Sequence, residues 1–346
     1  MGLPDASDSR LAALTKWVVE TLGFAGSRIE PASADASFRR YFRVTRGGDT
    51  AIVMDAPPDK EDLAPFVRVA RMLAGMGLNV PIVLARDQAQ GFLLLSDLGT
   101  RQYLDELKAD REVERLYADA LAALVTLQTA ADAAARRLPA YDRTLLLKEM
   151  ELMPEWFLGK HLGLALRGPE RAMLDGVFDA LATAALAQPR GLVHRDYHSR
   201  NLLLCETANP GILDFQDAVY GPLTYDAVSL LKDCYIAWPP ARVRGWVLGY
   251  RAMLLKAGVV LEGGDPDAFV RWFDLMGLQR HIKVLGIFAR LCHRDGKPGY
   301  LNDLPRVLDY VRNAASAYPE TAEFAAYVTT CIDPAFAQVR TGPAGA

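Results

Sequence analysis

The sequence predicts an α+β protein with a small β-rich lobe at the N-terminus and a large helical lobe after it. Five short runs of β-forming residues lie within the first 95 residues, separated by turn residues. Apolar residues then recur with helical spacing over most of the remaining chain. One polar segment, residues 191–215, interrupts the helices with short β-like runs.

The N-terminal elements follow in a clear order. A first helix is expected after Ser7–Ser9, whose side chains can cap it, and Gly23 ends it. A second helix is expected over about Asp62–Met76. The expected strands, which would form a five-stranded antiparallel sheet, are Arg28–Ser33, Phe38–Thr45, Thr50–Asp55, Val80–Ala85 and Gly91–Leu95.

Helices dominate the rest of the chain. Residues 112–129 carry apolar side chains with a clear helical period. Further helical patterns occur near residues 142–163, 168–187, 225–236, 240–256, 266–292, 301–315 and 320–328. We therefore place the N-terminal lobe at residues 1–95, a hinge at 96–100 and the helical lobe at 101–340.

The composition is that of an ordinary globular protein. The 346 residues are 51% hydrophobic and 23% charged, and the net charge of -3 gives no sign of a nucleic-acid-binding surface. The four cysteines form no close pair, so we expect no zinc site. Because the chain has neither a secretory signal nor a long apolar run, we expect a cytoplasmic protein without a membrane span.

One segment carries a chemical signature. Residues 192–204 have the sequence LVHRDYHSRNLLL, and ILDFQD follows at residues 212–217, with a short hairpin predicted from Leu202–Leu204 and Gly211–Leu213. Magnesium prefers one or two carboxylates and other oxygen ligands. A phosphoryl-transfer site needs that metal on the phosphates and a carboxylate that orients the attacking hydroxyl. The pattern therefore predicts Asp196 as the catalytic carboxylate, Asn201 and Asp214 as Mg2+ ligands, and ATP as the donor.

The match to the kinase signature H-R-D-x-x-x-x-N followed by D-F-G is close. The three letters HRD alone are weak evidence, because His293-Arg294-Asp295 repeats them. In that second copy Tyr300 stands where the asparagine should be, and we expect it to lie at the C-terminal turn of a helix. The joint spacing of Asp196, Asn201 and Asp214 distinguishes the first copy from a polar loop that merely caps its neighbours.

Three further residues are expected to support this loop. His198 is expected to donate a hydrogen bond to a γ-phosphate oxygen, although it could instead brace the loop. His194 and Asp226 are expected to be structural, with Asp226 accepting N–H groups of the loop backbone. Since Asp226 follows Asp214 by only twelve positions, the chain lacks room for a protein-docking segment, and a small-molecule acceptor is favoured.

Several segments carry a resemblance to a known family. They are SFRRYFRV (37–44), VMDAPP (53–58), GLNVP (77–81), GFLLLSDLG (91–99), HRDYHSRNLL, ILDFQDAVYGP (212–222) and LQRHIKVLGIFARL (278–291). The chain resembles the aminoglycoside and choline phosphotransferase superfamily, which has a bilobal protein-kinase-like fold. Within it, the chain is most similar to bacterial cell-wall-recycling kinases that phosphorylate N-acetylmuramate and N-acetylglucosamine at the anomeric hydroxyl. The resemblance implies an ATP- and Mg2+-dependent enzyme of peptidoglycan recycling that needs no obligate protein partner.

The nucleotide side departs from the usual kinase plan. Met54 stands about where a phosphate-binding lysine is expected, and Phe66 about where its glutamate partner is expected. We expect Arg40 or Arg43 to supply the missing cation, the alternative being that both lie on a solvated strand face. Ser37 stands in place of a glycine-rich loop and is expected to cover the phosphates.

The remaining site residues come from the expected position of each ligand. Adenine is expected at the hinge, paired with backbone groups of Ser96 and Leu98 and walled by Val53 and Leu94. Sugar hydroxyls and rings favour polar and aromatic contacts, so we expect the acceptor near Glu149, Trp156, Gln216 and Asp217. The alternative is that Trp156 belongs to the core and Glu149 forms an ordinary ion pair.

Two other functions remain open from the sequence. Another small alcohol, such as an aminoglycoside, choline or a homoserine-like compound, could be the acceptor. A non-catalytic pseudokinase that binds nucleotide is supported only by the missing lysine, and the intact Asp196, Asn201 and Asp214 argue against it.

Overall fold

A computed structural model describes residues 8–34, 38–129 and 135–341. These residues form two compact units. The first contains residues up to Arg101 together with Leu202–Asp217, and the second contains Gln102–Asn201 together with residues from Ala218 onward. The division near residue 101 is close to the expected lobe boundary. The segment Leu202–Asp217, however, groups with the N-terminal part of the chain and not with the helical lobe.

The first unit is built on a five-stranded sheet in which every neighbouring pair is antiparallel. Its strands are β1 (Arg28–Ala34), β2 (Arg40–Arg46), β3 (Asp49–Asp55), β4 (Val83–Asp87) and β5 (Phe92–Ser96). Their order across the sheet is β1-β2-β3-β5-β4. The fourth strand begins later than the predicted Val80, because Pro81 has no N–H to donate to a sheet.

A helix near the N-terminus packs against one face of this sheet. Helix α1 (Ser9–Lys16) begins at Asp8, whose carboxylate accepts the N–H groups of Arg10 and Leu11 at 3.1 and 3.0 Å. The core cluster on this face, here called the α1 core cluster, consists of buried Leu14, Trp17, Val18, Phe42, Val44, Ala51, Val53, Phe92 and Leu94. Because strand side chains alternate between faces, Tyr41 and Arg43 point to the opposite face of the sheet.

A short hairpin accounts for the place of Leu202–Asp217 in the first unit. Its strands, β7 (Leu202–Leu203) and β8 (Gly211–Ile212), pair antiparallel as the sequence predicted. The hairpin bonds to the N-terminal part of the chain, with Ile212 N–H donating to Asn79 O at 2.8 Å and Leu204 N–H donating to Arg101 O at 2.7 Å. Helix α2 (Leu63–Gly75), which Asp62 caps, also belongs to this unit.

The second unit is mainly helical. The α-helices of its described residues are α3 (Tyr103–Lys108), α4 (Val113–Thr129), α5 (Arg143–Met150), α6 (Gly168–Leu186), α7 (Tyr225–Leu231), α8 (Pro240–Lys256), α9 (Pro266–His293), α10 (Leu304–Ala315), α11 (Ala322–Tyr327) and α12 (Asp333–Thr341). A two-stranded antiparallel sheet pairs β6 (Arg190–Val193) with β9 (Val219–Pro222). Among the described residues, no helix combines the length and the apolar character needed to cross a membrane.

Helix α9 lies at the centre of the second unit and is largely buried. Its Gly286 permits close packing against Leu152, because a Cβ at this glycine would lie 2.3 Å from the Leu152 carbonyl carbon. The helical pattern predicted over residues 142–163 is not one continuous α-helix. Helix α5 ends at Met150, and a separate helical segment with wider turns spans Met153–His161.

Candidate active site

The loop that follows β6 brings the signature residues of the second unit together. The His198 N–H donates to Asp196 O at 3.0 Å, and the Asn201 N–H donates to His198 O at 2.9 Å. The Asn201 side chain also donates from Nδ2 to Asp196 O, at 3.0 Å. Asp196 and Asn201 are therefore tied together across the five positions that separate them.

Asp226, near the start of α7, holds the beginning of this loop. Its fully buried carboxylate accepts the N–H groups of His194 and Arg195 at 2.6 and 3.0 Å. Nδ1 of buried His194 in turn accepts the N–H of Asp196 at 3.3 Å. Arg195 has a φ of 79°, a left-handed conformation that these contacts must sustain. Burial raises the pKa of Asp226 to about 7, although the two N–H donors oppose this rise.

A second buried carboxylate, which the sequence did not single out, anchors the middle of the loop. Asp233 accepts the N–H of Ser199 at 3.0 Å and the N–H of Tyr235 at 2.9 Å. It follows Asp226 by seven positions in a mostly apolar stretch, which is the sequence signal that could have identified it. Two carboxylates from one short segment thus fix both halves of the signature loop.

Four basic residues act on the charge of Asp196. Burial disfavours its charge, but Lys283, His198, Arg280 and Arg195 outweigh that effect and lower the pKa of Asp196. Lys283 and Arg280 are buried and lie on α9, one turn apart. They belong to the LQRHIKVLGIFARL segment, yet no role had been predicted for them, because basic residues in an apolar helix do not reveal what they face.

His198 occupies a protected position in the loop. Its ring packs edge-on against Tyr235, with ring centroids 5.3 Å apart. Its Nδ1 is buried and has no hydrogen-bond partner within the described ranges. Burial lowers the pKa of His198, with Asp233 and Asp196 opposing, so the imidazole is expected to be neutral at neutral pH.

Glu149 lies in a buried ion-pair cluster. Its carboxylate pairs with Arg195 and with Lys283, at 2.9 Å for Lys283, and the Tyr141 hydroxyl donates to it. Burial opposes its charge, but Lys283 and Arg195 lower its pKa. These contacts satisfy the carboxylate inside the protein, so they support the alternative of an ion pair over the predicted sugar contact.

Glu149 and Trp156 are seven positions apart and would share a face of a continuous α-helix, but the structure has no continuous α-helix over these positions. Glu149 lies in α5, whereas half-buried Trp156 lies in the wider-turned segment Met153–His161. Because the number of residues per turn changes between the two positions, the seven-residue separation does not by itself give a shared face.

The first unit holds the second half of the signature. Asp214 has a φ of 62°, a left-handed conformation that is uncommon outside glycine and concentrates at functional sites. The Gln216 side chain donates to Asp214 at 2.8 Å and to Asp217 at 3.4 Å. Asp217 is exposed, and Phe215 is buried against Phe66 of α2.

The side-chain oxygens of Asn201 and Asp214 are suitable ligands for magnesium. Because a carbonyl oxygen can only accept, the Asn201 amide must present its nitrogen to Asp196 O and turn its own oxygen elsewhere. An amide oxygen and a carboxylate are ligands that Mg2+ prefers, with water and phosphates completing the shell. Within the described ranges, no group of three or more His, Cys, Asp or Glu side chains is arranged as an all-protein metal site.

The two candidate phosphate-binding arginines lie on opposite faces of the sheet. Arg40 shares its face with the α1 core cluster and pairs with Asp55, which is fully buried, and with Asp8. Arg43 faces the other side and contacts both oxygens of Asp97, at 2.6 and 3.1 Å. Arg43 also donates to Gly99 O at 3.1 Å. Neither arginine simply lies on a solvated face.

Two of the residues predicted to contact adenine are part of the core. Val53 and Leu94 belong to the α1 core cluster, so their side chains pack against the N-terminal helix and are not available as an adenine wall. Strand alternation alone does not tell which face a helix will cover. The N–H of Ser96 is already bonded to Ile82 O at 2.9 Å, and Leu98 O lies 3.5 Å from Cys205 Sγ. Ser37 lies outside the described residues.

The second HRD copy has the place that its sequence context predicted. Helix α9 ends at His293, and Arg294 forms its C-terminal cap. Arg294 and Asp295 pair with each other near the surface. Among the contacts of the described residues, none joins this copy to the loop around Asp196.

Comparison with known proteins identifies the family. The model of the phosphotransferase enzyme family APH matches residues 28–263. A Pseudomonas putida protein named N-acetylmuramate/N-acetylglucosamine kinase is 48% identical over 327 residues, which cover 91% of this chain and 95% of the relative. A Pseudomonas aeruginosa protein of the same name is 51% identical over 293 residues, covering 85% of each chain.

Solved structures agree on the fold. The GDP complex of an aminoglycoside 2'-phosphotransferase has a TM-score of 0.61 at 18% identity, over 86% of this chain and 96% of the other. An ADP-bound aminoglycoside phosphotransferase has a TM-score of 0.57 at 15% identity, over 88% and 97% of the two chains. The fold is therefore protein-kinase-like, as the signature predicted. With the match over residues 28–263, the chain belongs to the phosphotransferase enzyme family.

Proposed function

We propose that this enzyme uses ATP and Mg2+ to phosphorylate the anomeric hydroxyl of N-acetylmuramate and N-acetylglucosamine, giving the sugar 1-phosphates. The observation that carries this proposal is the pair of relatives with that kinase name, at 48% and 51% identity over most of the chain. The same assignment puts the enzyme in the cytoplasm, where ATP is available, acting on amino sugars released during peptidoglycan turnover.

Asp196 is proposed to act on the acceptor. Its lowered pKa keeps it ionised at neutral pH, so it can orient the anomeric hydroxyl and take its proton while the hydroxyl oxygen bonds to the γ-phosphorus and the bond to ADP breaks. An anomeric hydroxyl is more acidic than a simple alcohol, so a weakly basic carboxylate is sufficient. His198 is proposed to donate a hydrogen bond toward the transferred phosphoryl group.

Asn201 and Asp214 are the residues that would hold magnesium through their side-chain oxygens. When bound, the ion offsets the negative charge that spreads over the phosphates in the transition state. The buried anchors His194, Asp226 and Asp233 keep the loop in shape without contact with either substrate.

On the nucleotide side, Arg43 is the better candidate for the missing lysine. It lies on the sheet face opposite the α1 core cluster, where it pairs with Asp97, whereas Arg40 lies on the cluster side and pairs with Asp55 and Asp8. Measurement of ATP KM in Arg43→Met and Arg40→Met tests this choice. We expect a raised KM in the Arg43 variant only, and an unchanged KM in both would reject an arginine substitute.

Acceptor contacts are proposed for Trp156, Gln216 and Asp217. Trp156 is half-buried and keeps an aromatic face that suits a sugar ring, and the Gln216 amide and Asp217 carboxylate suit hydroxyls. Glu149 is instead proposed to support the site indirectly, by fixing Arg195 and Lys283 near Asp196.

The decisive experiment is an ATP-consumption assay over a panel that holds both amino sugars, an aminoglycoside, choline and homoserine. We expect turnover with the amino sugars only, and 31P spectra should place the new phosphate at the anomeric carbon.

Asp196→Asn should reduce kcat by several orders of magnitude while ATP binding is kept. The matched control Asp175→Asn removes a carboxylate that pairs with Arg171 at the surface and should leave turnover unchanged. Preference for another acceptor, or near-normal turnover in Asp196→Asn, would reject the proposal.

A further inference from the structure

Arg200 stands out among the residues of the signature loop. Its guanidinium carbon lies 3.7 Å from the centroid of the Tyr235 ring, so the planar group stacks on the aromatic face. The side chain is half-buried. Within the described ranges, no Asp or Glu pairs with it and no hydrogen bond of its guanidinium is present. Stacking on a ring leaves the N–H groups, which point outward in the guanidinium plane, able to bind an anion.

Other arginines of the second unit are used differently. Arg195, five positions earlier, is paired with Glu149. Arg280 is buried and donates to Ser229 Oγ at 2.7 Å and to Cys234 Sγ at 3.5 Å. A guanidinium held on an aromatic platform with an open hydrogen-bonding edge is therefore particular to Arg200 among these three.

One carboxylate holds both the residue before Arg200 and the tyrosine on which its guanidinium stacks. Asp233 accepts the N–H of Ser199, which precedes Arg200, and the N–H of Tyr235, which forms the platform. Asn201, which follows Arg200, is tied to Asp196. A side chain held in this way loses little conformational entropy when it binds a ligand.

We propose that Arg200 binds the carboxylate of the lactyl group by which N-acetylmuramate differs from N-acetylglucosamine. The inference rests on the proposed function. Arg200 follows Asp196 by four positions, and Tyr235 contacts both the Arg200 guanidinium, at 3.7 Å, and the His198 ring, at 5.3 Å, so the guanidinium lies on the same side of the loop as the proposed phosphoryl contact. A planar guanidinium matches a carboxylate through two parallel hydrogen bonds. N-acetylglucosamine has no such group and makes no use of Arg200.

The test compares the two sugars in one set of variants. The quantity measured is the ratio of kcat/KM for N-acetylmuramate to kcat/KM for N-acetylglucosamine, so that any loss common to both sugars cancels. Charge-assisted hydrogen bonds of this kind predict a fall in the ratio of about tenfold to a hundredfold in Arg200→Met. Arg200→Lys keeps the charge without the planar fork and should give an intermediate ratio.

Two controls sharpen the comparison. Arg190→Met removes an exposed arginine at the start of β6 and should leave the ratio unchanged. The lactamide of N-acetylmuramate, which is neutral, should be a poor substrate for the wild-type enzyme and should not worsen further in Arg200→Met.

The outcomes separate the two proposals. A fall in kcat/KM that is equal for both sugars, with a raised KM for ATP, would assign Arg200 to the phosphates and overturn the inference. An unchanged ratio would overturn the inference as well. In that case, turnover of both sugars would leave the proposed function intact. A wild-type enzyme that phosphorylates neither sugar would reject the proposed function and the carboxylate site with it.

Discussion

Phe66 and Phe215 pack against each other in the first unit, with ring centroids 4.9 Å apart and planes tilted by 39°. Both rings are buried. Phe215 directly follows Asp214, the proposed magnesium ligand, whose backbone is left-handed. Packing of the Phe215 ring therefore helps to hold the Asp214 backbone in place. Phe66 occupies the position where a kinase glutamate was expected. The apolar residue therefore replaces an ion pair by a packing contact.

Phe66→Ala is predicted to weaken both the fold and the use of magnesium. Loss of a buried aromatic ring should lower the free energy of unfolding by about 3–5 kcal/mol. A loosened Asp214 segment should also raise the Mg2+ concentration that gives half-maximal activity. Urea denaturation and Mg2+ titrations of activity in the cold measure the two effects.

The control for this variant is Phe269→Ala, which removes a fully buried ring from α9 in the second unit. It should lose similar stability without a change in the Mg2+ titration. A Phe66→Ala enzyme with unaltered Mg2+ dependence would show that the ring only fills space.

The sequence predicted those features that depend on local pattern. The β7-β8 hairpin follows from two apolar runs around a turn, and the contact of Asp226 with the loop backbone follows from a carboxylate at the start of α7. The kinase-like fold was implied by the family resemblance of the segment that holds Asp196, Asn201 and Asp214. Each of these needs only chemistry within a short stretch of chain.

Features that depend on packing between distant residues could not be predicted from the sequence. Alternation assigned Val53 and Leu94 to one face of the sheet, but only the packing of α1 made that face a core. The partners of Arg43 and Glu149 come from residues more than 45 positions away, in Asp97 and Arg195. The wider turns of Met153–His161 could not be predicted from hydrophobic spacing, so the seven-residue separation of Glu149 and Trp156 does not by itself give a shared face.

Glu149→Gln is predicted to destabilise the second unit. The change leaves Arg195 and Lys283 buried with a neutral amide in place of their shared carboxylate. Breaking a buried ion pair from one side should lower the free energy of unfolding by about 3–5 kcal/mol. Glu151→Gln, which breaks a more exposed pair with Arg171, should cost less than about 1 kcal/mol. Wild-type stability together with a raised sugar KM in Glu149→Gln would restore the sugar contact that the ion pairs argue against.

Lys283→Met is predicted to shift the pH profile of the reaction. Lys283 is the strongest of the cations that lower the pKa of Asp196. Its removal should raise that pKa, so Asp196 becomes protonated at higher pH and the acidic limb of kcat/KM moves to higher pH. Activity at pH 5 should therefore fall more than activity at pH 8.

Lys232→Met provides the comparison for this shift. Lys232 pairs with Asp274 at 2.8 Å and is not among the cations that lower the pKa of Asp196. Its acidic limb should stay in place. If the limb of Lys283→Met also stayed in place, the protonation of Asp196 would not limit the reaction in acid.

Asp226→Asn is predicted to cost more stability in acid than at alkaline pH. The pKa of Asp226 is raised by burial from 3.8 to about 7, so the folded state holds this proton more tightly than the unfolded chain. The resulting stabilisation is complete below about pH 4 and is lost as the pH rises through 7.

The asparagine in the Asp226→Asn variant accepts one of the two N–H groups and cannot accept the other, which lowers the free energy of unfolding by about 1–3 kcal/mol. That loss should be largest near pH 4, where the stabilisation is complete, and smaller near pH 8, where the wild-type protein buries a charge. Urea denaturation at both pH values measures it, with Asp309→Asn on the exposed side of α10 as the control. A cost that grew with pH instead would mean that Asp226 is ionised throughout and that its two N–H donors outweigh burial.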